Sequence, residues 1–272
     1  MSALSKILLA VFLLVSFAGA QSAAAQESAA APKKDLKIAA AADLSAAIDK
    51  LGSVFEKQTG VHVSVSLGSS GNFFAQIQNG APFDVFLSAD KSYPEKLAEA
   101  GKIEGALVPY ARGRLVLWVP NSSSLQLPSK GHPLDGNLDA LNGPAVRKIA
   151  IANPEHAPYG RAAVAVLMHY GVYEQVKSKI VLGENVSQTA QFAQSGNADV
   201  AFIALSQALS EALNREGYWL ALPQGSYPPI EQAGAVLKTS HSKQMAWRFL
   251  EFLTSPEAQA ILHNFGFEAP GK

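Results

Sequence analysis

Hydrophobic and polar positions between residues 36 and 270 switch repeatedly between two periods. Short apolar runs at 36–41, 85–87, 149–152, 180–182 and 200–204 read as buried strands, and residues 61–67 alternate apolar and polar as a half-exposed strand does. Leu44, Ala47, Ile48, Leu51, Val54 and Phe55 recur at helical spacing, with Gly60 just past the end. Further helices are predicted at 73–79, 94–100, 160–169, 189–194, 206–213, 243–253 and 256–265, the last entered through Ser255-Pro256. Residues 114–119 (Arg-Leu-Val-Leu-Trp-Val) form the strongest strand, and 220–222 and 231–237 add two more. A Ser/Pro/Gly-rich stretch runs to His132, and a short helix follows near Leu138. Repeated strand–helix–strand units predict an α/β protein with mixed, mostly parallel sheets flanked by helices.

The first 25 residues fall outside this pattern. Lys6 precedes an apolar run from Ile7 to Phe17, too short for a comfortable membrane span, and Ala23-Ala24-Ala25 offers a small-x-small cleavage site. Residues 1–25 are therefore expected to be a cleavable signal peptide and 26–34 a flexible leader. Without Lys6, 21 of the 22 basic residues remain against 22 acidic ones, a net charge of −1. That balance gives no electrostatic reason to expect nucleic acid or an anionic membrane as partner. The chain has 272 residues, 48% hydrophobic content and Cys 0. An exported protein of this kind draws its stability from its core rather than from disulfides, which suits the bacterial periplasm.

Four turns share one form, an apolar strand followed by small or polar residues and then a helix. They are Ala41-Ala42-Asp43-Leu44-Ser45, Gly68-Ser69-Ser70-Gly71, Asn153 to Gly160 with its two prolines, and Gly183-Glu184-Asn185-Val186-Ser187. Such turns leave backbone N–H groups at helix starts free for an anion. Any one of them is ordinary capping; two in each half point to uncharged donors meeting in a cleft and holding an oxyanion. Asp43 is placed to accept from Ala46 N–H as an N-cap.

Enzyme motifs are missing. The sequence has no G-x-S-x-G elbow, no phosphate loop, no G-x-G-x-x-G after a strand, and no H-x-x-x-H or H-E-x-x-H among its six histidines. His156 reads as a surface histidine, and Asp90 as a cap for the next helix rather than as half of a catalytic pair with Asp84. An exported esterase or phosphatase, holding an oxyanion at helix N-termini, stays open as an alternative but lacks a nucleophile beside a base or metal.

Ala-Ala-Ala-Asp-Leu (40–44), Gly-Ser-Ser-Gly-Asn-Phe-Phe-Ala-Gln-Ile (68–77), Asn-Gly-Ala-Pro-Phe-Asp-Val-Phe-Leu-Ser-Ala-Asp (79–90), Gly-Arg-Leu-Val-Leu-Trp (113–118), Asn-Pro-Glu-His-Ala-Pro-Tyr-Gly (153–160) and Phe-Ile-Ala-Leu-Ser (202–206) together resemble the periplasmic molybdate-binding proteins of ABC transporters, the ModA family, over about residues 36–270. The resemblance implies a two-lobed, class II periplasmic-binding-protein fold, with residues 35–112 plus 231–272 as lobe I and 113–230 as lobe II. It implies a monomer in the periplasm that binds molybdate or tungstate without catalysis and passes it to an ABC permease and its ATPase. No cofactor is expected, and molybdenum enters only as the bound oxyanion. Another oxyanion such as sulfate or phosphate is the alternative ligand. The family's ligand positions carry over to Asp43 with Ala42 before it, to Ser70, and to the backbone donors Tyr159 and Val186. The side chain of Tyr159 has no assigned part. Ala204 stands where some relatives carry a tyrosine hydroxyl, so that contact does not transfer. Relatives place serine or asparagine at position 43, where a carboxylate would repel a dianion. Either Asp43 offers its N–H and turns its carboxylate back as a cap, or it accepts a proton from a protonated oxyanion such as hydrogen phosphate.

Overall fold

A computed structural model describes residues 35–125 and 138–271. The proposed signal peptide, the leader and much of the Ser/Pro/Gly-rich stretch lie outside these residues. In chain order come β1 (Leu36–Ala41), a 3-10 turn (Ala42–Ala46), α1 (Ile48–Thr59), β2 (Val63–Gly68), α2 (Ser70–Gln78), β3 (Val85–Ser88), α3 (Ser92–Glu99), β4 (Ile103–Gly113) and β5 (Leu115–Pro120). A 3-10 turn (Asp139–Asn142) leads to β6 (Ile149–Ala152), α4 (Pro158–His169), α5 (Tyr173–Val176), β7 (Ile180–Gly183), α6 (Val186–Gln194), β8 (Val200–Ala204), α7 (Leu205–Ala208), α8 (Glu211–Glu216) and β9 (Gly217–Ala221). The last elements are β10 (Ile230–Leu237), α9 (Lys243–Leu253) and α10 (Pro256–Asn264).

The strands form two five-stranded sheets, β2-β1-β3-β10-β4 and β7-β6-β8-β5-β9. In the first sheet only β10 runs against the other four strands; in the second only β5 does. Both sheets are thus mixed and mostly parallel, as the sequence pattern predicts. The chain passes from one sheet to the other at Arg114 and returns over residues 222–229.

The apolar runs are buried because helices cover both faces of each sheet. Ile48, Leu51 and Phe55 of α1 pack with Phe249 and Phe252 of α9 on one face of the first sheet, the rings of Phe55 and Phe249 meeting edge-on at 5.1 Å. Phe73, Ile77 and Leu97 fill the other face. The second sheet carries the largest cluster, built on Trp118, Phe202, Val166 and Leu220. No helix among the described residues is long and apolar enough to cross a membrane.

Three elements differ from the sequence reading. The eleven-residue β4 has no signature, because its burial does not alternate, Gly105 and Pro109 interrupt it, and its register against β10 shifts twice. The helix expected over 206–213 is two helices, since Ser210 takes an extended conformation and caps α8 by accepting from Leu213 N–H. The single-turn α5 had no prediction.

Candidate functional site

Parallel strands of both sheets end at the same place. There β1, β2, β6 and β7 each give way to a turn that starts a helix or a 3-10 segment. The four turns line a small pocket with a volume of about 10 Å³, room for roughly one bound water as the side chains stand. Its lining brings together all five positions named from the sequence: Ala42, Asp43, Ser70, Tyr159 and Val186. Ser69, Ala89 and Asn185 also line it. No lysine, arginine or histidine lines it.

Each helix start leaves one donor at the cavity. Ser69 is extended and caps α2, so Ser70 becomes the first helical residue and is fully buried. Ser70 Oγ accepts from Ala89 N–H at 3.0 Å, which leaves its own hydroxyl proton to give. Pro158 opens α4 and has no N–H, so Tyr159 carries the first one; the next two, on Gly160 and Arg161, go to the Ala157 carbonyl. Asn185 caps α6 by accepting from Ser187 and Gln188 N–H at 2.9 and 3.1 Å. The first N–H, on Val186, is the one this cap does not take.

Asp43 departs from the expected geometry. The 3-10 turn begins after Ala41 and no side chain caps it, so Asp43 is not an N-cap. Its carboxylate instead turns inward. Oδ2 accepts from the Tyr159 hydroxyl at 3.0 Å and from Gln232 Nε2, while Oδ1 is buried with no hydrogen-bond partner. Tyr110 donates to Gln232 Oε1 at 2.7 Å, which fixes the amide with its NH₂ toward Asp43. Burial raises the Asp43 pKa to about 6, although both side-chain donors pull the other way. Burial, with the nearby carboxylate adding to it, pushes the phenols of Tyr110 and Tyr159 well above their usual range. Gly113 is needed here, because a Cβ would lie 2.2 Å from the Tyr159 hydroxyl and 2.9 Å from Gln232 Nε2.

The Tyr159 side chain, left without a part by the sequence reading, therefore links the two sheets. Gln232 and Tyr110 were missed as well. They lie 189 and 67 positions from Asp43 on strands, and a polar residue facing inward from a strand carries no local motif.

Polar contacts between the two halves ring the cavity. Ser206 Oγ donates to the Asp43 carbonyl at 2.6 Å, and Ser187 Oγ and Gln207 Nε2 donate to the Ala42 carbonyl at 3.1 and 3.3 Å. Gly71 N–H donates to the His156 carbonyl at 2.9 Å, and Ser69 Oγ lies 2.9 Å from His156 Nδ1. Arg161 pairs with Asp90 at 2.5 Å and donates to Tyr93 at 3.1 Å. His156 is thus not a surface histidine but sits between the halves, its Nε2 3.9 Å from Glu184. Asp90 does serve the start of α3, accepting from Ser92 N–H, but its second oxygen holds Arg161. Asp84 accepts from Lys37 N–H and from Ser240, away from Asp90.

A family model described as bacterial extracellular solute-binding protein matches residues 36–268. The molybdate-binding protein ModA of Azotobacter vinelandii is 38% identical over 239 residues, 88% of this chain and 91% of that protein. The chain belongs to the ModA family of solute-binding proteins. Its ModA relative in Rhodobacter capsulatus is 40% identical over 232 residues, covering 84% of this chain and 86% of that one. The fold agrees with that membership. The solved periplasmic molybdate-binding protein of Azotobacter vinelandii superposes with a TM-score of 0.78 at 36% identity, over 87% of this chain and 100% of that structure. ModA-family members are solute-binding proteins, so the cavity at the strand ends is where a solute is to be sought.

Proposed function

We propose that the chain captures molybdate, or the nearly equal-sized tungstate, in the periplasm and delivers it to an ABC importer, with no chemical step. One observation carries this reading. Four strand-to-helix turns, two on each sheet, line one small pocket, the starts of α2, α4 and α6 each leave a donor there, and among the described residues no cationic side chain lines it. The names of the ModA relatives support the choice of anion.

In this reading the two sheets with their helices, residues 35–112 plus 231–272 and 113–230, are lobes that close over the anion. Ser70 gives a hydroxyl, Tyr159 and Val186 give backbone N–H groups, and the turn at Ala42 and Asp43 gives more of the same kind. Closure expels water, so each charge-assisted bond strengthens in a less polar surrounding. Neutral donors favour a fully ionised ligand; the Asp43 carboxylate is the acceptor in the lining that a protonated anion would need, and an O–H that it does not take is buried at a cost of about 1–3 kcal/mol. Sulfate is smaller and leaves donors stretched. Residues 1–25 direct export and are removed, and the mature protein works as a monomer whose outer faces meet the permease. A thermal-shift series with molybdate, tungstate, sulfate and phosphate tests the reading: molybdate and tungstate raise the melting temperature most. Phosphate or sulfate giving the largest rise contradicts it.

The contact between Ser69 Oγ and His156 Nδ1 favours a second reading, a hydrolase with a serine beside a base. Against it, Ser69 Oγ accepts from Asn72 N–H as the cap of α2, and Glu184 lies beyond hydrogen-bond reach of His156. Steady turnover of an activated ester that Ser69→Ala abolishes would establish the hydrolase.

A further inference from the structure

Among the described residues, Asp43 is the one acidic or basic residue that lines the cavity. Building on the oxyanion-binding reading, we propose that Asp43 takes up a proton from solvent as the anion enters, so that the protein binds a dianion and a proton together.

The hydrogen bonds around the carboxyl group allow this. Both side-chain donors, the Tyr159 hydroxyl and Gln232 Nε2, converge on Oδ2, and Tyr110 prevents the Gln232 amide from turning over. Oδ1 is buried and makes no well-formed hydrogen bond, although the backbone N–H groups of Asp43 and Leu44 lie near the carboxyl group and favour its ionised form. A proton on Oδ1 therefore displaces no existing hydrogen bond. Oδ2 keeps both of its donors in either state.

Among the described residues, no cation faces the group. Tyr110 of β4, Tyr159 of α4 and Gln232 of β10 surround it, and α6 and α7 turn the uncharged Ser187, Ser206 and Gln207 toward the 3-10 turn. Arg161 of α4 is engaged by Asp90, and Arg112 of β4 lies beside Glu231. His156 faces Ser69 and Glu184. Lys37 of β1 and Asp49, Lys50 and Lys57 of α1 are exposed. A dianion in the cavity thus meets an uncompensated carboxylate, and protonation is the route that removes the repulsion. Burial already raises this carboxyl to a pKa of about 6, and the like charge of the anion drives it further up, past neutral pH.

The sign of the effect follows from linkage. A group that gains a proton on binding makes affinity fall as pH rises, from the pKa of the empty site to that of the occupied one. The fall is about tenfold per pH unit inside that window. This behaviour differs from the proton transfer considered from the sequence, in which the ligand brings the proton.

Calorimetric titration of the full-length mature protein with molybdate, at pH 7.5 in two buffers of different ionisation heat, tests the inference. The expected result is uptake of close to one proton per anion, with affinity falling several-fold to tenfold between pH 7 and pH 8. Asp43→Asn, or Asp43→Ser should the first variant fold poorly, is expected to bind with no proton exchange and a flat pH profile. Wild-type binding with equal apparent enthalpies in both buffers overturns the inference while leaving the oxyanion reading intact. Proton uptake that survives in both variants also overturns it, by placing the proton elsewhere. A folded wild-type protein that binds none of molybdate, tungstate, sulfate and phosphate overturns the oxyanion reading, and this inference with it.

Discussion

At the residue scale, the proposed site sets Asp43 and Ser70 in opposition: one repels an anion and the other donates to it. Two like unit charges about 4 Å apart, at an effective dielectric of about 20, repel by about 4 kcal/mol, which exceeds the roughly 1–3 kcal/mol that one buried hydroxyl donor returns. Ser70→Ala is expected to weaken molybdate binding by about 1–3 kcal/mol, read by calorimetry; an unchanged Kd would show that its hydroxyl stays with Ala89 alone. Asp43 also has a consequence for folding. Its folded-state pKa, about 6, lies above the ordinary value of 3.8, so its contribution is fully present below pH 3.8 and is lost as pH rises through about 6. A shift of about two units corresponds to roughly 3 kcal/mol. Asp43→Asn should therefore melt higher relative to wild type at pH 7.5 than at pH 4, and a difference that does not vary with pH would contradict the burial of the carboxylate. Tyr159→Phe removes one of the two side-chain donors on Oδ2 and should push the Asp43 pKa higher still, visible as a shift in the carboxyl resonance titration. The sequence makes the position of Asp43 legible but not its direction. An aspartate after a strand is a familiar cap, and only Tyr159 and Gln232, brought near by the fold, turn the carboxylate inward.

At the element scale, the four turns do their work through helix starts that lie two or three residues before those read from the sequence, at Ser70, Pro158 and Val186 rather than 73, 160 and 189. Ser69, Pro158 and Asn185 each sit where a cap or a first-turn proline is recognisable, and the structure uses each of them so. What the sequence hides is how the turns meet. Gly71 lets α2 approach the loop before α4 so closely that its N–H reaches the His156 carbonyl, and a Cβ there would lie 2.7 Å from that oxygen. Gly71→Ala should wedge the two turns apart and weaken molybdate binding tenfold or more, while the melting temperature of the ligand-free protein moves by only a few degrees. Binding at wild-type strength would show that the halves need not approach this closely. The elements that escaped the sequence reading share one physical character. Strand β4 lies at a sheet edge, half exposed and bulged, so no period survives in it. The apolar periods of the central strands survive because both their faces are covered.

At the scale of the whole molecule, two mixed sheets present the ends of their parallel strands to each other, and the chain crosses between them twice. Two crossings permit a hinge. Polar contacts cross it, Arg161 with Asp90, His156 with Ser69, and Ser206 with the Asp43 carbonyl, beside Ala41, Ala42 and Ala89, which pack into the second sheet's core. Polar contacts of this kind are replaced by water at small net cost when the halves part. In the proposed cycle the ligand supplies the difference between open and closed states. Arg161→Ala should shift that balance toward the open form and speed molybdate release several-fold in stopped-flow measurements, with little change in association rate. The most direct check of the central claim is a crystal grown with excess molybdate and measured at the molybdenum absorption edge. A single anomalous peak between Ser70, Tyr159 and Val186, within hydrogen-bond reach of their N–H and O–H groups, is the expected result. A peak elsewhere, or none, contradicts the account.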